Sequence, residues 1–298
     1  MVASESMEKL APPKGAGAET SLWVDFFRRI RKSKGSLVGA AVLVFLIFVA
    51  ILAPVLAPYD PVRVSAGDFL ASPSSTHPFG TDQYGRDVFS RLVFGSRPSL
   101  TVGFISVGIA SIFGVIIGLY AGYYGGFVDD LLMRLIDIML AFPGILLAMA
   151  IVSILGPSLA NLMIAVGISA IPSYARLTRG SVLAAREQVY VLAARSIGVP
   201  NRLILTRHIL PNVVAPIIVA ATLGIGTSIL WAAALSFLGM GSQPPEPEWG
   251  RMLSEGRQYL RDQWWISTFP GLAIMITVLG VNLLGDGLRD ALDPRLRA

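Results

Sequence analysis

Few residues in this chain are equipped for chemistry. Cysteine is absent from all 298 residues, and His77 and His208 are the only histidines. Thiolate catalysis, disulfides and Cys/His metal sites are therefore out of reach. The last lysine is Lys34, and no Gly-x4-Gly-Lys-Ser/Thr stretch occurs, so a conventional phosphate-binding loop cannot form. No Ser/His/Asp, Cys/His or paired-carboxylate arrangement suggests enzymology. The chain is expected to be non-catalytic and to carry no cofactor or metal of its own. What remains is binding and coupling chemistry. Asp137 lies inside a long apolar stretch, with Arg134 three residues earlier as its expected ion-pair partner. Thr222, Thr227, Ser228 and Trp231 set hydroxyls and an indole N–H among small residues, where they can meet a solute or bond back to their own helix. The third feature is a basic segment, Tyr190-Val-Leu-Ala-Ala-Arg-Ser-Ile-Gly-Val-Pro-Asn201, continuing to Pro211.

Membrane spans must position these groups. The sequence is 54% hydrophobic and only 14% charged, against about 25% charged in soluble domains. Residues 35–59, 98–128, 138–175, 208–245 and 263–285 contain no Asp, Glu, Lys or Arg. A helix needs about 20 apolar residues to cross a hydrocarbon layer. The expected architecture is all-α and polytopic, with six transmembrane helices at roughly 37–56, 99–122, 131–154, 158–175, 213–238 and 267–288. Gly156-Pro157 divides the long run after Asp137 into two of them. The length of the first apolar core separates it from a cleaved leader. Gly114, Gly118 and Gly122 form a small-residue packing face on the second helix. Pro143 is expected to kink the third.

Basic residues orient the chain. Arg28, Arg29, Arg31, Lys32 and Lys34 precede the first helix, and the loop between helices four and five holds six arginines against Glu187 alone. The loops at 57–97 and 241–265 balance arginines with acids. Both termini and the basic loop are therefore expected in the cytoplasm. The net charge of +5 reads as topology signal and lipid contact rather than nucleic-acid binding.

Within the basic loop, Arg186 to Ile197 reads as a short amphipathic helix. Val189, Leu192, Ala193, Ser196 and Ile197 form a weakly apolar face. Gly198-Val199-Pro200 stops it, and Asn201 is expected to cap a second helix running to Leu210. Pro211 suits the first turn of the next span. A glycine turn between two helices can enter a groove on a partner.

The pattern Ala193-Ala194-x3-Gly198-x9-His208-Ile209-Leu210-Pro211 resembles the EAA loop of ABC importer permeases. Leu192 stands where that loop has Glu, and His208 where it has an aliphatic residue. Four further stretches resemble the dipeptide/oligopeptide/nickel branch, specifically its second permease. They are His77-Pro-Phe-Gly-Thr-Asp-Gln-Tyr-Gly-Arg-Asp-Val-Phe-Ser-Arg91, Arg134-x2-Asp137-x2-Leu140-Ala-Phe-Pro143, Leu235-Ser-Phe-Leu-Gly239 through Gln243-Pro-Pro-x-Pro-Glu-Trp-Gly250, and Asn282-Leu-Leu-Gly-Asp-Gly-Leu-Arg-Asp290 through Asp293-Pro294. Together they span about 35–296.

The resemblance implies a type I ABC importer transmembrane domain in a prokaryotic inner membrane. It implies import of di- or oligopeptides, with nickel, glutathione or oligosaccharides as alternative cargo. A second permease, one or two ATPase subunits that bind ATP and Mg, and an external substrate-binding protein would be the partners. Arg186, Ala193, Ala194, Arg195, Gly198, Asn201 and Pro211 would couple to the ATPase. Thr222, Thr227, Ser228 and Trp231 would line the path. The expected divisions are a partly disordered tail at 1–34, a first helix and external segment at 35–97, and a permease core at 98–298 with its coupling loop at about 180–211. A stand-alone secondary transporter, the other class of reading, should show inverted repeats and midplane ionisable groups, and the sequence has neither. Thr81 or Asp82 is the expected cap of an external helix whose Val88, Phe89 and Leu92 lie along lipid. Glu246 and Glu248 are expected to be exposed outside.

Overall fold

The structure is a computed structural model that describes residues 33–292. The expected tail through Lys32, with Arg28, Arg29 and Arg31, lies outside the described residues, as does the Asp293-Pro294 end of the last motif. Every long element is a helix, and one isolated bridge pairs Thr81 with Asp87.

Helix α1, Lys34–Ile51, starts at Ser33, whose hydroxyl accepts the Ser36 N–H, and a one-turn α2, Ala53–Leu56, follows. A long loop leads to α3, Val88–Tyr124. Its 37 residues extend roughly 55 Å at about 1.5 Å each. It begins eleven residues before the expected 99, because Pro98 is accommodated within the helix. The cap is Asp87, not Thr81 or Asp82: its carboxylate accepts the Ser90 N–H at 2.7 Å. Gly80 and Gly85, at φ +72° and +71°, hold residues 80–87 in a closed loop instead of a helix.

The expected third span is two helices, α4, Gly126–Leu140, and α5, Gly144–Leu155, bent by 87°. Pro143 cannot donate a backbone bond, and it opens α5 as its N-cap rather than kinking a continuous helix. Helix α6, Leu159–Arg186, is capped by Ser158 and runs past the expected 175. The basic loop contains α7, Val189–Ser196, and a short α8, Asn201–Leu203. A six-residue π-helical stretch, Ile204–Ile209, joins α8 to α9, Leu210–Phe237. A short helix α10, Trp249–Gly256, precedes α11, Trp265–Leu292. Among the described residues four continuous helical stretches are long and apolar enough to cross a membrane (α1, α3, Asn201–Phe237 and α11), and the bent pair makes five. The sixth expected span lies in α6, where Asn161, Ser169, Ser173 and the terminal arginines interrupt the apolar run.

Close glycine contacts fix the bundle. A Cβ on Gly114, Gly118 or Gly122 would come within 2.5, 2.5 and 2.9 Å of atoms on α6. The small-residue face of α3 is therefore spent on α6 inside this chain. Likewise, Gly39 of α1 leaves only 2.4 Å between its missing methyl and the Gly280 carbonyl of α11.

Candidate functional sites: the basic loop, a helix-lined cavity and a buried ion cluster

The basic loop is held by its inner face and open on its outer face. Arg186 ends α6, not the amphipathic helix; its guanidinium donates to the Gly122 carbonyl and to Glu187, both at 2.9 Å. Val191 and Ala194 of α7 are buried with Tyr123, Val182, Ala185, Ile204 and Ile209. The opposite face carries Val189, Leu192, Ala193, Ser196 and Ile197, all exposed. Val189 and Ile197 are 81% and 80% exposed. Apolar groups left this open on a loop with six arginines have no cover within the described chain.

Gly198 ends α7 at φ +79°. The Gly198 N–H donates to the Arg195 carbonyl and the Val199 N–H to the Ala194 carbonyl, both at 3.1 Å, which is the Schellman arrangement. Left-handed backbone at this point favours glycine, and nothing lies within 4 Å of where its Cβ would be. Pro200, rather than Asn201, holds the cap position of α8. Asn201 instead accepts the Tyr123 hydroxyl at 2.7 Å, while the Arg195 guanidinium sits 5.3 Å above the same ring. Tyr123 is thus a platform for the turn, which local sequence spacing could not reveal because it lies 78 residues from Asn201. Pro211 falls in the first turn of α9. Of the seven residues expected to couple, Ala193, Arg195, Gly198, Asn201 and Pro211 are exposed, and Ala194 and Arg186 support them from behind.

A second site is a cavity of about 300 Å³ between α6 and α9. Ser169, Ser173, Tyr174, Thr227, Ser228 and Trp231 line it, with apolar residues between them and no charged side chain. Thr222 is not among the lining residues; its hydroxyl bonds back to the Ile218 carbonyl at 3.0 Å. The α6 contribution was missed in the sequence, although Ser169 and Ser173 are spaced to share a helix face. Tyr174 donates to the Ala220 carbonyl at 3.2 Å, and Gly224 leaves room for its hydroxyl. Trp231 rests on Gly144, where a methyl would fall 2.4 Å from the indole ring. The bend at Pro143 therefore bears directly on a cavity wall. The surface offered to a solute is hydroxyl and aromatic, able to hydrogen-bond without fixing a charge.

Asp137 pairs with Arg176 of α6 at 2.7 Å, not with Arg134. The two groups are more than half exposed, so the pair links helices with little stabilising weight. Arg179 reaches Asp129 through two 2.5 Å bonds on the same side.

The ion cluster around Glu255 is built in the opposite manner. Arg86 donates to Asp82 at 2.6 Å and to Glu255 at 2.8 Å. Arg91 reaches Glu255 at 3.2 Å and the Pro61 and Pro245 carbonyls at 3.1 and 3.4 Å. Arg251 completes the cluster on Glu255 at 3.0 Å. Arg86 and Arg91 are buried, and Val88 is buried rather than lying along lipid. Glu246 is exposed, but Glu248 is buried at the cap of α10. Burial pushes the Glu248 carboxyl above the usual range, and the Gly250 and Arg251 N–H groups pull against that shift.

The family described as "Binding-protein-dependent transport system inner membrane component" matches residues 114–298. The "N-terminal TM domain of oligopeptide transport permease C" matches residues 21–73. The chain is 50% identical to the dipeptide transport system permease protein DppC of Alkalihalophilus pseudofirmus, over 96% of this chain and 94% of that one. It is 47% identical to the di/tripeptide transport system permease protein DppC of Pseudomonas aeruginosa, over 92% of each. Identity to the glutathione transport system permease protein GsiD of Escherichia coli is 50%, over 92% and 91%. Among solved structures, inward-facing MetNI methionine ABC transporter aligns with a TM-score of 0.55 and 20% identity, covering 68% of this chain and 96% of that one. That likeness speaks for the fold.

Proposed function

The chain belongs to the binding-protein-dependent transport system inner membrane component family, and from that premise we propose that it is the permease subunit of an ABC importer for di- or oligopeptides. Its two DppC relatives are named for dipeptide and di/tripeptide transport. The observation that carries the coupling role is the exposed apolar face of α7 beside the Gly198 turn. On this reading α7, Gly198 and α8 enter a cleft on an ATPase subunit that binds ATP and Mg. Closure of the ATPase dimer moves the loop, and the helices rock from inward-facing to outward-facing; hydrolysis resets them. A related permease supplies the other half of the path, and an external binding protein delivers the cargo. Thr227, Ser228 and Trp231, joined by Ser169, Ser173 and Tyr174, form this chain's share of the path wall. The basic loop and the amino-terminal arginines face the cytoplasm, where positive charge accumulates. The working divisions are 1–34, 35–97 and 98–298, with coupling centred on 180–211.

Glutathione is the second cargo to test, because the GsiD relative is as similar as the first DppC. The experiment is ATPase activity of the affinity-purified complex in liposomes, with its binding protein, against peptides, glutathione, oligosaccharides and Ni²⁺. Saturable stimulation by short peptides is expected. Stimulation by glutathione alone would move the cargo, and absence of any co-purifying or reconstitutable ATPase would overturn the coupling role.

A further inference from the structure

A groove of about 630 Å³ runs between α1 and α3 on the outside of the bundle. Its walls are Ile47, Ile51, Leu100, Phe104 and Ile105, and Arg97 stands at its head. Arg97 is exposed, yet it is fixed: Nε donates to the Ala50 carbonyl at 2.6 Å and one Nη to the Ile51 carbonyl at 3.1 Å. Those bonds satisfy carbonyls at the end of α1. Among the described residues the second Nη has no hydrogen-bond partner and no carboxylate lies within ion-pair distance of Arg97; the Phe94 ring lies 5.6 Å from the guanidinium. The guanidinium thus stands at the head of an open apolar groove. From Arg97 to Ile105 the channel descends about 12 Å at about 1.5 Å per residue. This is the pattern of a lipid, an anion above and hydrocarbon below.

We propose that the groove between α1 and α3 binds one anionic phospholipid, its phosphodiester on Arg97 and an acyl chain along Leu100, Phe104 and Ile105. The Nη not spent on α1 keeps N–H donors for charge-assisted bonds to phosphate oxygens. The apolar walls accept methylene groups that a free phosphate ion lacks. The inference rests on the membrane-spanning reading but not on the transported cargo, and its test needs no peptide. Loss of lipid retention with intact transport therefore marks failure here alone.

The complex of this chain with its partner permease and ATPase, in nanodiscs of mixed phosphatidylglycerol and phosphatidylcholine, is analysed by native mass spectrometry after stepwise delipidation. Retention of one phosphatidylglycerol over phosphatidylcholine by about fivefold is expected, the scale of one basic side chain on one anionic headgroup. Arg97→Gln should remove the preference and Arg97→Lys should keep part of it. Because Arg97→Gln also uncaps α1, Ile105→Trp is the second variant: it fills the channel and should release the lipid with the guanidinium untouched. Added inorganic phosphate should not compete. Equal retention of both lipids by wild type, an unchanged preference in Arg97→Gln, or displacement by inorganic phosphate would each overturn the site. So would disulfide cross-linking of Ile105→Cys, in a chain with no other cysteine, to a cysteine in the partner permease, because the groove would then be a subunit interface.

Discussion

The two ends of this molecule solve the same problem in opposite directions. At the Glu255 cluster, arginines and acids are taken out of water and paired inside the chain, Arg86 and Arg91 with Asp82 and Glu255. At the basic loop, charges stay in solvent and the apolar residues Val189, Leu192 and Ile197 are the ones left open. Burying charge demands a full set of partners, so this segment is finished without help. An apolar face left open is unfinished, which is why the coupling role was proposed for it. The contrast predicts that substitutions at the first end damage folding and those at the second damage coupling.

The largest effect should come from Arg91→Ala. Removing one member of a buried ion cluster strands the others, at a cost of about 3–5 kcal/mol. Loss of the purified complex, or a sharply lower melting temperature, is the expected result; a melting curve like wild type would break the comparison. Gly198→Trp comes next, with a fall in transport of at least about tenfold while the protein remains inserted. The in-chain contribution is only the left-handed backbone, about 1–2 kcal/mol for a residue with a Cβ, since the space around Gly198 is empty. Gly198→Ala measures that part alone, so a drop in transport as large as that of Gly198→Trp would assign the defect to the backbone. Ile197→Asp should lower peptide-stimulated ATPase several-fold yet shift stability by less than about 0.5 kcal/mol, as exposed substitutions do. Thermal unfolding and ATPase assays on one preparation separate the two readouts. The smallest contrast pairs Thr227→Val with Thr222→Val. The first should alter peptide uptake kinetics by about two- to threefold, the low end of what one hydrogen bond contributes, about 0.5 kcal/mol. The second should leave uptake unchanged, because Thr222 spends its hydroxyl on its own helix.

The spans were readable because apolar runs of membrane length are a composition signal that needs no tertiary information. The Gly198 stop and the apolar face of α7 were readable for a similar reason: both are local; the exposure of that face was not, because it depends on Val191 and Ala194 taking the packed side instead. What escaped was set by distant parts of the chain. Asp137 had Arg134 within one turn, but Arg176, 39 residues away, lies closer in space. Glu248 sits in a Pro-rich run that suggests an exposed loop, and it is buried because α10 packs back onto α3 and α9. The start of α3 was hidden by Arg97 and Pro98, which interrupt the apolar run without interrupting the helix. The cavity wall from α6 was hidden because its hydroxyls dilute the hydropathy of that helix.

The glycine seam between α3 and α6 has a mechanical consequence. With backbone and β-carbon atoms so close at Gly114, Gly118 and Gly122, neither helix can slide past the other without collision. They form a single beam. The basic loop is attached to the end of α6 and braced on α3 through Tyr123 and the Gly122 carbonyl. A force applied at α7 is therefore delivered to two helices at once, along their full shared length. Regular helix is broken elsewhere, at the bend before α5 and at the π-helical stretch leading into α9. On the coupling reading proposed above, a stroke received at α7 would move α3 and α6 together as one body.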